Sequence, residues 1–151
     1  YEIMPSLVGS EMCIRDRNDM EGGQTNEFRP LILVAEDDDS NFKLIKAIIG
    51  KKCDIQWAKN GEEIVALFKE YGNEAKAILM DIKMPVMNGL DATKIIRGEN
   101  KEIPIIMQTA YAFSSDKENA MNAGASEVLV KPITLSILRN TLTKYFPELV
   151  W

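Results

Sequence analysis

The chain of 151 residues contains no histidine. That excludes Ser-His-Asp triads, Cys-His pairs and histidine-ligated zinc, and it means the chain cannot itself carry a phosphohistidine. Cysteine is scarce: Cys13 and Cys53 show no CxxC and no metal-ligand spacing, so both read as idle thiols of a reducing cytosol. No apolar stretch approaches the roughly 18 residues of a membrane span. Excess positive charge is missing too. A net charge of −5 argues against a nucleic-acid or anionic-membrane surface. The length suits one domain with a core of its own.

Residues 1–30 show no sustained helix or strand period, and Gly22-Gly23-Gln24-Thr25-Asn26 has linker composition. The piece Glu11-Met-Cys-Ile-Arg-Asp-Arg17 reverse-translates to GAG ATG TGT ATA AGA GAC AG, which resembles a transposon end used to prepare sequencing libraries. Residues 1–17 are therefore expected to be a read-through artefact or a disordered tail, and 18–30 a linker, with Met20 the competing native start. The segment is not a signal peptide, because its apolar stretch is short and lacks a preceding basic region.

From residue 31 the chain alternates apolar runs with amphipathic segments. The runs are LILVA (31–35), Asp54–Ala58, Lys76–Met80, Ile103–Gln108 and Glu127–Val130. Between them, apolar residues recur at helical spacing. Phe42, Ile45, Ile48 and Ile49 form one face, behind a cap at Asp39 or Ser40. Ile64, Leu67, Phe68 and Tyr71 form another, behind Asn60 with Glu63 three residues on. Leu90, Ile95 and Ile96 mark a third helix. Leu135, Leu138, Leu142 and Tyr145 mark the last, from about Thr134. A fourth, Ser114–Ala123, is small-residue-rich and should be the least firmly held. Short buried strands alternating with helices predict an α/β fold: a flavodoxin-like (βα)5 three-layer sandwich with a parallel five-stranded sheet of order 2-1-3-4-5, occupying 31–149.

Four of the runs stop at residues useful to phosphate chemistry: Glu36-Asp37, Asp81, Thr109 and Lys131-Pro132. In a parallel sheet these gather where the strands' carboxyl ends meet. Three crowded carboxylates repel one another, and a divalent cation relieves the crowding. All-oxygen ligands suit Mg2+ or Mn2+. Glu36 and Asp37 are expected to hold the ion, with one oxygen from Asp81 and the backbone carbonyl of Lys83. Asp81 is the best nucleophile for forming an acyl phosphate. Lys131, the Thr109 hydroxyl and a backbone N–H near Ala110 would take the phosphoryl oxygens. A cis Lys131–Pro132 peptide would aim the lysine inward.

With ILVAEDDDSN (32–41), ILMDIKMPVMNG (78–89), IIMQTAYA (105–112) and AGASEVLVKPI (123–133), the chain resembles the receiver domain of two-component response regulators over about residues 31–146. The resemblance implies Asp81 as phospho-acceptor, Glu36 and Asp37 as metal acids, and Thr109 and Lys131 as phosphoryl contacts. It implies a histidine kinase or phosphotransfer domain as donor, a downstream partner at the surface of the fourth helix, fifth strand and fifth helix, and a cytoplasmic setting. The style of the motifs is similar to receivers attached to hybrid sensor kinases, with a stand-alone regulator as the alternative. The chain departs from the family pattern at two places. Glu36 stands where many relatives have Asp. Val128 stands where many carry the aromatic ring that follows the Thr inward on phosphorylation, which leaves Tyr111 or Phe113 as possible substitutes.

Readings from other classes fare worse. A haloacid-dehalogenase-type phosphatase wants a second acid two residues after its nucleophile, and here that position is Lys83. A flavodoxin-like cofactor binder wants glycines and hydroxyls after the first strand, where this chain has Glu36-Asp-Asp-Asp39. A receiver fold kept only as an unphosphorylated interaction module is the remaining alternative. The domain is not expected to be an enzyme in the turnover sense.

Overall fold

The computed structural model describes residues 28–110, 114–149 and 151. Expectations for residues 1–27, Tyr111 and Phe113 lie outside the described residues. The elements run β1 (Leu31–Ala35), α1 (Asp39–Ile49), β2 (Asp54–Ala58), α2 (Gly61–Tyr71), β3 (Ala75–Asp81), α3 (Gly89–Glu99), β4 (Ile105–Thr109), α4 (Ser114–Ala123), β5 (Glu127–Val130) and α5 (Leu135–Tyr145). The strands form one parallel sheet of order β2-β1-β3-β4-β5.

Alternation along the strands divides the core into two layers. Leu33, Ala35, Ile78, Met80, Ile105 and Met107 face Ile64, Val65 and Phe68 of α2, Ala92 and Ile96 of α3 and Ala120 of α4. Ile32, Val34, Ala77, Leu79, Ile106 and Leu129 face Phe42, Ile45, Ile48 and Ile49 of α1 and Leu138 and Leu142 of α5. Each of the Val, Leu, Ile, Met and Phe side chains among them contributes roughly 1.5–3 kcal/mol by leaving water.

Local details depart from the sequence expectations in a few places. The cap of α1 is Asp38, not Asp39 or Ser40. Its extended backbone lets Oδ1 accept from Ser40 N at 2.7 Å and Asn41 N at 3.2 Å. Asn60 Oδ1 caps α2 by accepting from Glu63 N, and Glu63 Oε1 accepts from Lys59 N. β4 begins at Ile105, two residues late, because Pro104 has no N–H to give a ladder. Its carbonyl still accepts from Ile78 N. Ile95 and Leu135 lie on the solvent side of their helices, 40% and 47% exposed, while Ala92 and Thr93 complete the buried face of α3 and Thr141 that of α5.

α4 is the most polar helix, and among its described side chains only Ala120 and Ala123 are buried. Its exit turns at Gly124, whose φ of 116° a side chain would resist. Arg97 of α3 donates to Gly124 O and Ser126 Oγ there.

Residues 28–30, read as the end of a linker, pack against the domain. Arg29 donates to the carbonyls of Gly50, Lys51 and Cys53 and to Asp54 Oδ1. The Phe28 ring lies 6.2 Å from that of Phe146, just past α5.

Gly89 ties the loop after β3 to the strand through its N–H and Ile82 O, 2.8 Å. A Cβ there would collide with the Asp81 carbonyl oxygen. Gly89→Ala should therefore cost about 1–3 kcal/mol of stability, read as a lower urea midpoint at an unchanged m-value.

Candidate functional site

The strand alternation that builds the core also sorts the functional groups. Glu36 follows Ile32 and Val34, Asp81 follows Ala77 and Leu79, and Lys131 follows Leu129, so all three continue the layer that faces α1 and α5. β1 and β3 are neighbours, with Ala35 beside Met80, so Glu36 and Asp81 emerge side by side. Thr109 follows Ile105 and Met107 and belongs to the opposite layer, facing α4.

Ligand oxygens of Glu36, Asp37 and Asp81 lie within 4.8 Å of one another. Glu36 is fully buried and Asp81 nearly so, while Asp37 is exposed. The Lys131–Pro132 bond is cis. Lys131 Nζ bridges the two buried acids, donating to Asp81 Oδ2 at 3.1 Å and to Glu36 Oε1 and Oε2 at 3.3 and 3.4 Å. Its own backbone N–H donates to Thr109 O at 2.7 Å, which locks the end of β5 to the end of β4. Burial and then Asp81, by hydrogen bond and by charge, push the Glu36 carboxyl up to about 8 against the pull of Lys131. Burial lowers Lys131, but its bonds and charge interactions with Asp81 and Glu36 outweigh that and hold it above the usual lysine range. One ammonium thus offsets part of the crowding of two buried carboxylates.

An open cleft of about 250 Å³ lies over this group, lined by Asp37, Asp38, Asn41, Asp81, Ile82, Lys83, Thr109, Ala110 and Lys131. All the site residues expected from sequence except Glu36 line it, and Glu36 lies beneath, bonded to Lys131. The donor set suits a hard dication. It is all oxygen, anionic, partly open to water, and free of thiolate or imidazole.

A family model for the response regulator receiver domain matches residues 32–143. The chain belongs to that family. This receiver is 38% identical over 129 residues to hybrid signal transduction histidine kinase I of Dictyostelium discoideum, covering 78% of this chain and 7% of the kinase. Among solved structures it is similar to the receiver domain of sensor histidine kinase PA1611 from Pseudomonas aeruginosa, which holds a magnesium ion in its active-site cleft. The TM-score is 0.73 and identity 30%, over 80% of this chain and 99% of that one. It is also similar to the Saccharomyces cerevisiae response-regulator receiver crystallised with a histidine phosphotransfer protein, with TM-score 0.73 and 28% identity over 81% and 93% of the two chains. The receiver spans 16% or less of the length of the curated relatives matched first. Among the described residues no helix is long and apolar enough to cross a membrane.

Sequence reasoning missed four participants. Trp57 Nε1 donates to Glu36 O at 2.8 Å, and the Trp57 ring stacks on Phe42 at 4.0 Å. Asp38 and Asn41 line the cleft. The Thr109 hydroxyl donates to Asp116 Oδ2 at 3.2 Å. Only the acid run at 36–39 carried a signal for any of these.

Between pH 4.5, the ordinary carboxyl value, and about 8, folded Glu36 keeps a proton that the unfolded chain releases. The folded state then binds more protons, so stability falls as pH rises through that window. In EDTA, the urea midpoint of the receiver should decrease from pH 5 to pH 8, and Glu36→Gln should flatten the slope. A midpoint that climbs over this range contradicts a raised Glu36.

Proposed function

We propose that this receiver accepts a phosphoryl group on Asp81. The observation that carries the reading is the placement of Lys131 Nζ 3.1 Å from Asp81 Oδ2 at the floor of an open acidic cleft. A carboxylate oxygen of Asp81 attacks phosphorus in a phosphohistidine. The new O–P bond forms as the P–N bond breaks, and the imidazole nitrogen leaves with the electron pair and takes up a proton. The Lys131 ammonium already lies beside the nucleophile and pairs with a phosphoryl oxygen as charge shifts there. Thr109 and the Ala110 N–H border the remaining space.

Glu36, Asp37 and Asp81 are the residues that would hold Mg2+ or Mn2+, with the carbonyl of Lys83 beside them. When bound, such an ion supplies charge neutralisation for the attacking and phosphoryl oxygens. With no histidine in this chain, the donor is a histidine kinase or phosphotransfer domain elsewhere, and the cytoplasm is where such donors act. The similarity to hybrid kinases supports an origin as the receiver of one, preceded by a linker ending before β1. The face of α4, β5 and α5 is the surface proposed for a downstream protein.

Acetyl phosphate with Mg2+ should add the mass of one phosphoryl group, and Asp81→Asn should gain none. Lys131→Met should slow the reaction by roughly two orders of magnitude. If wild type gains no mass, the acceptor reading fails and the unphosphorylated module stands.

Because Trp57 is bonded to the Glu36 carbonyl, its emission should report the ion. In a Trp151→Phe background, Mg2+ should change Trp57 fluorescence saturably. Asp37→Asn should weaken the response, and an unresponsive Trp57 counts against ion binding at these acids.

A further inference from the structure

Thr109 does not point with the acids. It is 3% exposed, ends β4 in the layer that faces α4, and its hydroxyl donates to Asp116 Oδ2 in the first turn of α4. A threonine hydroxyl carries one proton to donate. Phosphoryl oxygens at neutral pH are acceptors, as is the Asp116 carboxylate. The two therefore compete for one hydrogen bond, and Thr109 can serve a phosphoryl group on Asp81 only by leaving Asp116.

Position 128, where many receivers carry an aromatic ring, is a valine in this chain. Val128 lies beside Met107 in the sheet and packs into the same core layer as a small branched side chain. α4 is suited to respond, since Ala120 and Ala123 are its only fully buried side chains among the described residues.

We propose that Asp116 is a positioning residue that holds Thr109 in the resting arrangement, and that its release couples the chemistry at Asp81 to the start of α4. This rests on the phospho-acceptor reading. With Asp116 paired to Thr109, the first turn of α4 is tied to the end of β4. Once Thr109 turns to a phosphoryl group, the Asp116 carboxylate loses a donor and faces a like charge, so the turn loosens. A carboxylate in a helix's first turn also favours the helix by its charge alone, and the test must separate the two roles.

The probe is beryllofluoride with Mg2+, followed by Trp57 emission and by hydrogen exchange over residues 114–123. In wild type, beryllofluoride should speed exchange at the start of α4 several-fold. Asp116→Ala should exchange quickly at rest, show no further change, and bind beryllofluoride about tenfold tighter, as removal of one competing charge-assisted hydrogen bond requires. The double variant Ser115→Asp/Asp116→Ala restores a first-turn charge without the pairing and should behave like Asp116→Ala. Unchanged or weaker beryllofluoride binding in Asp116→Ala overturns the proposal, as does a double variant that behaves like wild type. Should wild type match Asp81→Asn in binding no beryllofluoride, the acceptor reading falls and takes this coupling with it. Normal wild-type binding with an indifferent Asp116→Ala sinks the coupling alone.

Discussion

Placing two carboxylates side by side at the ends of adjacent buried strands is the constraint on which this structure turns. At an effective dielectric near 20, unit charges about 4 Å apart interact by roughly 4 kcal/mol, several times the contribution of a helix cap. Glu36 and Asp81 can share one site only with a proton, an ammonium or a dication between them. In this structure the ammonium comes from Lys131, two strands away from Asp81. The sheet order is therefore part of the chemistry. β1 and β3 supply the charges side by side, β4 sets β5 one strand beyond β3, and β5 returns the compensating cation, locked to β4 through Lys131 N and Thr109 O.

The two-residue period of the strands separates the reacting groups from the groups that could report on them. Side chains that continue the α1–α5 layer meet at Asp81, whereas Thr109 continues the other layer and meets α4. One strand end thus touches both compartments. The helix it touches is polar, thinly anchored and linked to α3 mainly at its far end through Arg97 and Gly124. The fold keeps its firmest packing under the acids and its loosest helix next to Thr109.

Much of this was legible in the residues. Strands buried on both faces read as unbroken apolar runs, so their ends, and with them Glu36, Asp37, Asp81, Thr109 and Lys131, could be located without coordinates. Helix faces followed from spacing, and the small-residue character of 114–123 marked its weak anchorage. What stayed hidden depends on dihedrals and on pairs distant in sequence. Asp38, Asp39 and Ser40 can all cap a helix, and only the backbone entering α1 selects Asp38. Ile95 and Leu135 sit at the edges of apolar stripes, where a small rotation about the helix axis moves them to solvent. The bond from Thr109 to Asp116 needs both the layer of the last strand residue and the placement of the next helix. The bond from Trp57 to Glu36 joins two strands whose pairing had first to be known.

The clasp of Arg29 on the carbonyls at the end of α1, with Phe28 against Phe146, fixes where the polypeptide enters the domain. That point lies at the amino-terminal edge of the sheet, a full strand length from the acids. The strand that follows then carries the polypeptide from the underside of the domain straight up to Glu36, so a pull on that entry would be felt at the floor of the cleft.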